Sequence, residues 1–172
     1  MSDFPRLVVH HPQPFNIVGD AFTLCGLGGA VEGDIGTAKL TDGNGTVLAT
    51  LAPMSVPGSG FGFTLFEFPV TYGVPATAEG KLTVVADNPS GLPENDFRVT
   101  VPLTFGRAVL GGSYGGFFPH RVVAGETLFG IAQDAYGDGD LWPRLFVSNR
   151  DRISDPDVIH VGQVLRVPFG GP

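Results

Sequence analysis

The hydrophobic period of this chain changes once, near residue 118, and that change limits what it can fold into. Before it, apolar residues come in short runs cut by Gly, Pro, Asp-Gly and Asn-Gly steps. After it, Leu128, Ile131, Ala132 and Ala135 recur at i, i+3, i+4 and i+7, one face of a helix. A β-rich unit followed by a smaller unit containing helices is the organisation such a switch implies.

In the first part, "RLVVH" (6–10), "AFTLCGL" (21–27), "GTAKLTD" (36–42), "TVLATLA" (46–52), "FGFTLFEFPV" (61–70), "KLTVVAD" (81–87) and "DFRVTVPLTF" (96–105) read as strands. "DGNG" (42–45) joins two of them and favours the positive-φ turn of a hairpin. Within 61–70, Phe61, Phe63 and Leu65 alternate and Phe66 and Phe68 take the other phase. Either both faces of that strand are covered or a bulge shifts its register. In the last strand Phe97, Val99 and Val101 share one face, and Arg98 and Thr100 the other. So many short strands in about 100 residues, with no helical period, point to an immunoglobulin-like β-sandwich. The Cys–Trp–Cys core of antibody domains is absent, because the single Trp, Trp142, lies elsewhere.

Residues 106–117 hold five glycines, which places a linker there. The expected division is 1–105 sandwich, 106–117 linker and 118–172 second domain. In the second domain "HRVVAG" (120–125) reads as a strand, Thr127 as a helix N-cap and Gly137 as the helix end. Asp140 is placed to cap a second helix with Pro143 in its first turn, and Leu141, Trp142, Leu145, Phe146 and Asn149 give its inner face. A turn at Asp155-Pro156 and a strand at "QVLRVP" (163–168) close a β-α-α-β unit.

Composition excludes several functions. The net charge is −7 and only Lys39 and Lys81 are lysines, so the basic stripe of a nucleic-acid binder is missing. No apolar run is long enough to span a bilayer, so no transmembrane segment is expected. The first residues lack a basic start followed by an apolar stretch, so no secretion signal is expected. Cys25, the single cysteine, sits in an apolar run and reads as a small core residue.

The stretch "HRVVAGETLFGIAQDAYGDGDLWPRLFVSNRDRISDPDVIHVGQVLRVP" resembles a LysM domain along its whole length, 120–168. "VVAGETLFGIA" is similar to the family's strand, turn and first helix; "AYGDGDLWPRLFVSNRDRI" to its middle segment; "DPDVIHVGQVLRVP" to its Pro-containing loop, Gly-Gln turn and last strand. Glu126 stands where Asp is usual and keeps the carboxylate. Residues 7–105 resemble the Gmad2 family of bacterial immunoglobulin-like domains through "HHPQPFNIVGD", "AVEGDIGTAKLTDGNGTVLAT" and "SGLPENDFRVTVPL". Val31-Glu32 departs from that pattern in lacking an acidic-aromatic pair.

The LysM resemblance implies a non-catalytic module that binds glycans containing N-acetylglucosamine, such as peptidoglycan or chitin. It implies a shallow groove between two loops. One holds Gly125, Glu126, Thr127, Leu128 and Phe129; the other holds Ile153, Asp155, Pro156, Asp157, Val158 and Ile159. A helix N-terminus offers N–H groups, loop carbonyls accept from amide and hydroxyl groups, and Leu128, Pro156 and Ile159 suit the acetyl methyl and the apolar sugar face. Glu126 lies beside the positive helix end.

Neither a metal nor a cofactor is expected. His10 and His11 face opposite ways in a strand, "DGD" (138–140) lacks the spaced acids of a calcium loop, and "CGLGGAVEG" (25–33) lacks a following helix. Paired carboxylates on a cleft are not suggested either, so no enzyme is expected. Two readings remain. In the first, the LysM domain holds cell-wall glycan and the sandwich presents a surface or binds a protein partner, which implies the cell envelope. In the second, the chain is a structural connector in a phage-tail-like or contractile injection assembly, cytoplasmic or particle-associated, with LysM used for protein contacts.

Overall fold

The computed structural model describes residues 7–88, 90 and 97–170. Arg6 and Asp96, expected at strand ends, and residues 91–96 of the quoted "SGLPENDFRVTVPL" lie outside them.

The first unit is a sandwich of two sheets. One is three-stranded, ordered β1 (Leu7–His11), β3 (Ala21–Ala30), β6 (Gly62–Thr71). The other is five-stranded, ordered β2 (Asn16–Val18), β8 (Arg98–Phe105), β7 (Glu79–Ala86), β4 (Gly36–Asp42), β5 (Val47–Leu51). All seven expected strands form. The short β2 was not expected; its three residues pair parallel to β8 (Ile17 opposite Thr104), a partner no local pattern can indicate. Alternation sends Ala38 and Leu40 of β4 inward while Thr37 and Lys39 face solvent. With Leu24, Ile35, Met54, Val70, Leu82, Val84, Leu103 and Phe105 they fill the space between the sheets. Phe97 precedes β8 and is exposed; from Val99 onward the strand alternates as expected.

The hairpin at 42–45 is held by a buried carboxylate. Asp42 Oδ1 accepts from the N–H groups of Asn44 (3.0 Å) and Thr46 (2.9 Å), and Oδ2 from Ala76 (3.3 Å). Burial pushes the Asp42 carboxyl up, but these bonds together outweigh it and hold the pKa below its ordinary value.

The β3–β6 ladder runs without a break from Ala21↔Thr71 to Ala30↔Gly62. There is no bulge in it. Phe66 and Val70 point into the core, and Phe68 packs on it half-buried. Glycines opposite make room: a Cβ on Gly26 would lie 2.7 Å from the Phe66 ring, and one on Gly28 2.7 Å from Ile35. The other phase of β6 is not covered: Phe63 and Leu65 are 55% and 70% exposed, and Phe61 just before the strand 75%.

Residues 106–117, expected as a linker, carry regular structure. Strand β8 runs into helix α1 (Gly106–Leu110), which ends at Gly111 with φ 69°. Strand β9 starts at Tyr114 and ends at Arg121, so the strand expected at 120–125 lies mostly upstream of that range. The reason is tertiary. Strand β10 (Val164–Gly170) runs past the expected 168, and its last residues pair with Tyr114, Gly116 and Phe117. Gly106 lies against the Tyr114 ring, where no Cβ would fit, so this glycine serves packing and not flexibility.

In the second unit helix α2 spans Leu128–Tyr136. Thr127 Oγ1 caps it by accepting from Gly130 N–H (3.1 Å), and Gly137 closes it at φ 74°. The next cap is Asp138, not Asp140: its Oδ1 accepts from Asp140 N–H (2.9 Å) and starts a 3-10 turn at Gly139–Leu141. An Asp two residues before the N–H it accepts from makes this bond, and Asp140 itself supplies that N–H. Helix α3 (Trp142–Ser148) follows with Pro143 in its first turn and no side-chain cap. Leu128, Ile131, Ala132, Leu145, Ile153, Leu165 and Val167 form the second core. Asn149, 0% exposed, ties helix to strand: Nδ2 donates to Leu145 O (2.7 Å) and Arg166 O (2.8 Å), and Oδ1 accepts from Arg166 N–H (2.7 Å).

Arg150 joins the two units. It follows α3, and its guanidinium meets Glu79 (2.9 Å), Leu103 O (3.0 Å) and Thr104 Oγ1 (3.1 Å) of the sandwich, with the Phe15 ring at 5.7 Å.

Candidate functional site

The turn after β9 and the start of α2 make one wall of a groove. The Glu126 carboxylate accepts from Val123 N–H (2.7 Å) and faces His120 Nε2 (3.0 Å), which closes the turn onto the end of the strand. The Val123 bond first, and the His120 contact next, hold the Glu126 pKa below its ordinary value. Gly125 takes φ 87°, a left-handed angle that disfavours any residue with a Cβ. Thr127 then caps α2. The N–H groups of Leu128 and Phe129 have no acceptor within the helix, as at any helix start.

The second wall is the loop after α3. Asp155 Oδ1 accepts from Asp157 N–H (3.0 Å), and Asp155 O from Val158 N–H (3.1 Å), which turns the chain at Pro156. The two walls enclose a cavity of about 190 Å³ lined by Glu126, Thr127, Leu128, Phe129, Trp142, Pro156, Asp157 and Ile159. It carries two carboxylates and no cationic side chain. Leu128 and Ile159 reach it from the core, and Phe129 is half exposed with its ring against Gly139.

Seven of the eleven residues expected at the site thus come to one cavity. Gly125 shapes the turn without lining it. Ile153, 3% exposed, belongs to the core, because its side chain packs inward where its N–H bonds to Asn149 O. Asp155 is the turn former, and Val158, 48% exposed, does not line the cavity.

Trp142 was not expected at the cavity. Its place on the inner face of α3 reads as core, and it does pack against the second core, but it stays half-buried and the remainder forms cavity wall. The one available signal was position: it opens a helix, where a side chain is covered from one side only.

A larger hollow, about 660 Å³, lies among Leu110, Phe118, Tyr136, Arg144 and Phe169 and shares no residue with the groove. It is walled mainly by rings and aliphatic groups. Tyr136 within it is already committed, donating to Pro168 O (3.0 Å), and burial pushes its phenol up to about 12. Ser113 and Arg144 also line this hollow; what sets the groove apart is that the α2 start and the Pro156 loop build it between them.

Elsewhere, His10 and His11 are both exposed at a register shift in β1. Among the described residues no three His, Cys, Asp or Glu side chains converge as a metal site. No described helix is long and apolar enough to cross a membrane.

Two family models match separate parts of the chain. The LysM domain model matches residues 120–168, and the model for the immunoglobulin-like domain of bacterial spore germination matches residues 6–92. Both kinds of domain are typically non-catalytic binding modules. Among characterised proteins, the Potassium binding protein Kbp of Escherichia coli O6:H1 is 32% identical over 98 residues, 56% of this chain and 58% of Kbp. Esterase Rv1288 and Esterase MT1326 of Mycobacterium tuberculosis are each 51% identical over 49 residues, 28% of this chain and 10% of theirs. The chain therefore spans little more than half of Kbp and a tenth of either esterase.

Proposed function

We propose, for a chain that belongs to the family of immunoglobulin-like domains of bacterial spore germination and carries a LysM domain over residues 120–168, that it binds N-acetylglucosamine-containing glycan, peptidoglycan above all, without catalysis. The observation that carries this reading is the groove between the α2 start and the Pro156 loop. An N-acetyl group is uncharged and needs one donor, one acceptor and an apolar seat for its methyl. The helix start offers N–H donors, the Thr127 and Asp157 side chains are at hand, and Leu128, Pro156, Ile159 and Trp142 are apolar. The two carboxylates disfavour an anionic ligand. Under this reading the sandwich, held to the LysM unit through Arg150, presents a surface or meets a protein partner. The two units, divided between β8 and β9, are proposed to keep separate cores.

The test is retention on purified peptidoglycan and on chitin beads, with titration of N-acetylglucosamine oligomers. Binding is expected to strengthen with oligomer length, since a groove meets several rings. Asp157→Arg adds bulk at an exposed position of the groove and is expected to remove most binding while leaving the melting curve unchanged. Absence of binding by the native chain to both polymers would overturn the glycan reading and favour the connector in a particle assembly.

A further inference from the structure

We propose that strand β6 pairs with β6 of a second copy of this chain, antiparallel about a two-fold axis, so that the protein associates as a dimer through the free edge of its three-stranded sheet.

Strand β6 is the last strand of the order β1-β3-β6, and among the described residues its far side has no strand partner. Exposed edges usually carry lysine, an inward charge, a bulge or a proline, because a bare edge recruits another strand. Between residues 61 and 66, "FGFTLF", there is no charge and no proline, and the ladder behind it is unbroken. The outer face there is apolar: Leu65 lies beside Leu27, and Leu27 beside Val8, across all three strands, with Phe63 beyond over Gly29.

The occupant follows from register and charge. Pro69 is tolerated in a strand where its missing N–H faces away from the partner. Backbone direction alternates along an antiparallel strand, so Phe63, Leu65 and Glu67 share the orientation of Pro69 and turn their N–H and C=O to the free edge. Pairing Phe63 of one copy with Leu65 of the other satisfies those groups twice by symmetry. It sets Glu67 opposite the uncharged Phe61. The two Glu67 side chains are then six residues apart along the ladder, about 20 Å, beyond the screening length at physiological salt. Pro69 falls past the end of the paired segment and stops it. The register that would place Glu67 against Glu67 is disfavoured by like charge. A chain of net charge −7 thus meets its own copy along its uncharged strip. The contact is isologous and closes, so it gives a dimer and no filament. Two LysM grooves on one particle would gain avidity for a polymer, though the pairing itself does not depend on glycan.

The experiment is light scattering on the full chain from micromolar to near-millimolar concentration, without glycan, with hydrogen exchange measured at both ends of the range. The native chain is expected to move from monomer to dimer mass, with exchange slowing at the Phe63 and Leu65 amides. Leu65→Lys is expected to stay monomeric with an unchanged melting curve, because residue 65 is exposed. A native chain that remains monomeric throughout, a dimer in which the β6 amides exchange as in the monomer, or a Leu65→Lys variant that dimerises like the native chain would each overturn the proposal.

Discussion

The sandwich and the LysM unit solve the same problem with different means. The sandwich buries aliphatic and aromatic side chains from eight strands between two sheets, and the loss of one contact is shared among many neighbours. The LysM unit has two helices, a 3-10 turn and two strands, with a core of a few side chains closed by single polar residues: Thr127 at one helix start, Asp138 at the next turn, Asn149 between helix and strand. A small unit cannot average out a defect. Its polar side chains are therefore structural, and the surface left over is the groove they position. The sandwich spends its residues on area and leaves an apolar edge; the LysM unit spends them on shape.

The sharpest way to break this comparison is inside one strand. Phe66→Ala removes a ring 3% exposed in the sandwich core and is expected to cost about 3–5 kcal/mol. Phe63→Ala, three residues away and 55% exposed, is expected to stay within about 0.5 kcal/mol in the monomer. Chemical denaturation of the two variants under monomeric conditions reads the difference; equal losses would mean that the outer face is covered within the chain.

Next in size is Asn149→Ala. It leaves the Leu145 and Arg166 carbonyls and the Arg166 N–H without their side-chain partner in a buried place, at about 2–4 kcal/mol. Melting is expected to show early loss of the LysM unit, read by Trp142 emission, while the sandwich persists. A single unchanged transition would contradict the idea that polar closure carries the smaller unit.

Arg150→Ala tests whether the two units depend on each other. It removes the Glu79 ion pair and two hydrogen bonds to the sandwich, at about 1–2 kcal/mol. Calorimetry is expected to separate the two transitions. Limited proteolysis is expected to speed up at the exposed residues 111–113, between α1 and β9. Cuts arising first within β3 to β7 would place the division elsewhere.

The smallest effect belongs to the groove turn. Glu126 has a lowered pKa in the folded chain, so its contribution is present above the ordinary carboxylate pKa and is lost as pH falls through the folded value. The melting temperature of the LysM unit is expected to drop on acidification partly for this reason, and Glu126→Gln is expected to flatten that part of the profile. Asp42 acts in the same direction in the sandwich, so acid weakens both units. A profile of the LysM unit indifferent to Glu126→Gln would remove the carboxylate from the account of the turn.

Local pattern was enough wherever a residue's role depends on its neighbours in the chain. Period-two runs located seven strands, and a 3.6 period with Thr127 and Gly137 at its ends located α2. Seven residues of the groove were legible because the motif "GETL" and the Asp155-Pro156 turn each build their own geometry. Where a residue's role depends on what crosses the chain, tertiary structure decided. The glycines of 106–117 look flexible in sequence, yet β10 pairs with Gly116 and Phe117, and Gly106 packs under Tyr114. Asp140 does not cap α3, which starts from a 3-10 turn capped by Asp138; Ile153 went to the core, and Trp142 kept part of its ring at the groove. Arg150 looks like an ordinary surface cation until Glu79, Leu103 and Thr104 are brought to it from 46 to 71 residues away. Periodicity reports which side of an element is apolar; it carries no information about which distant backbone or side chain will face it, because that is set only when the layers pack.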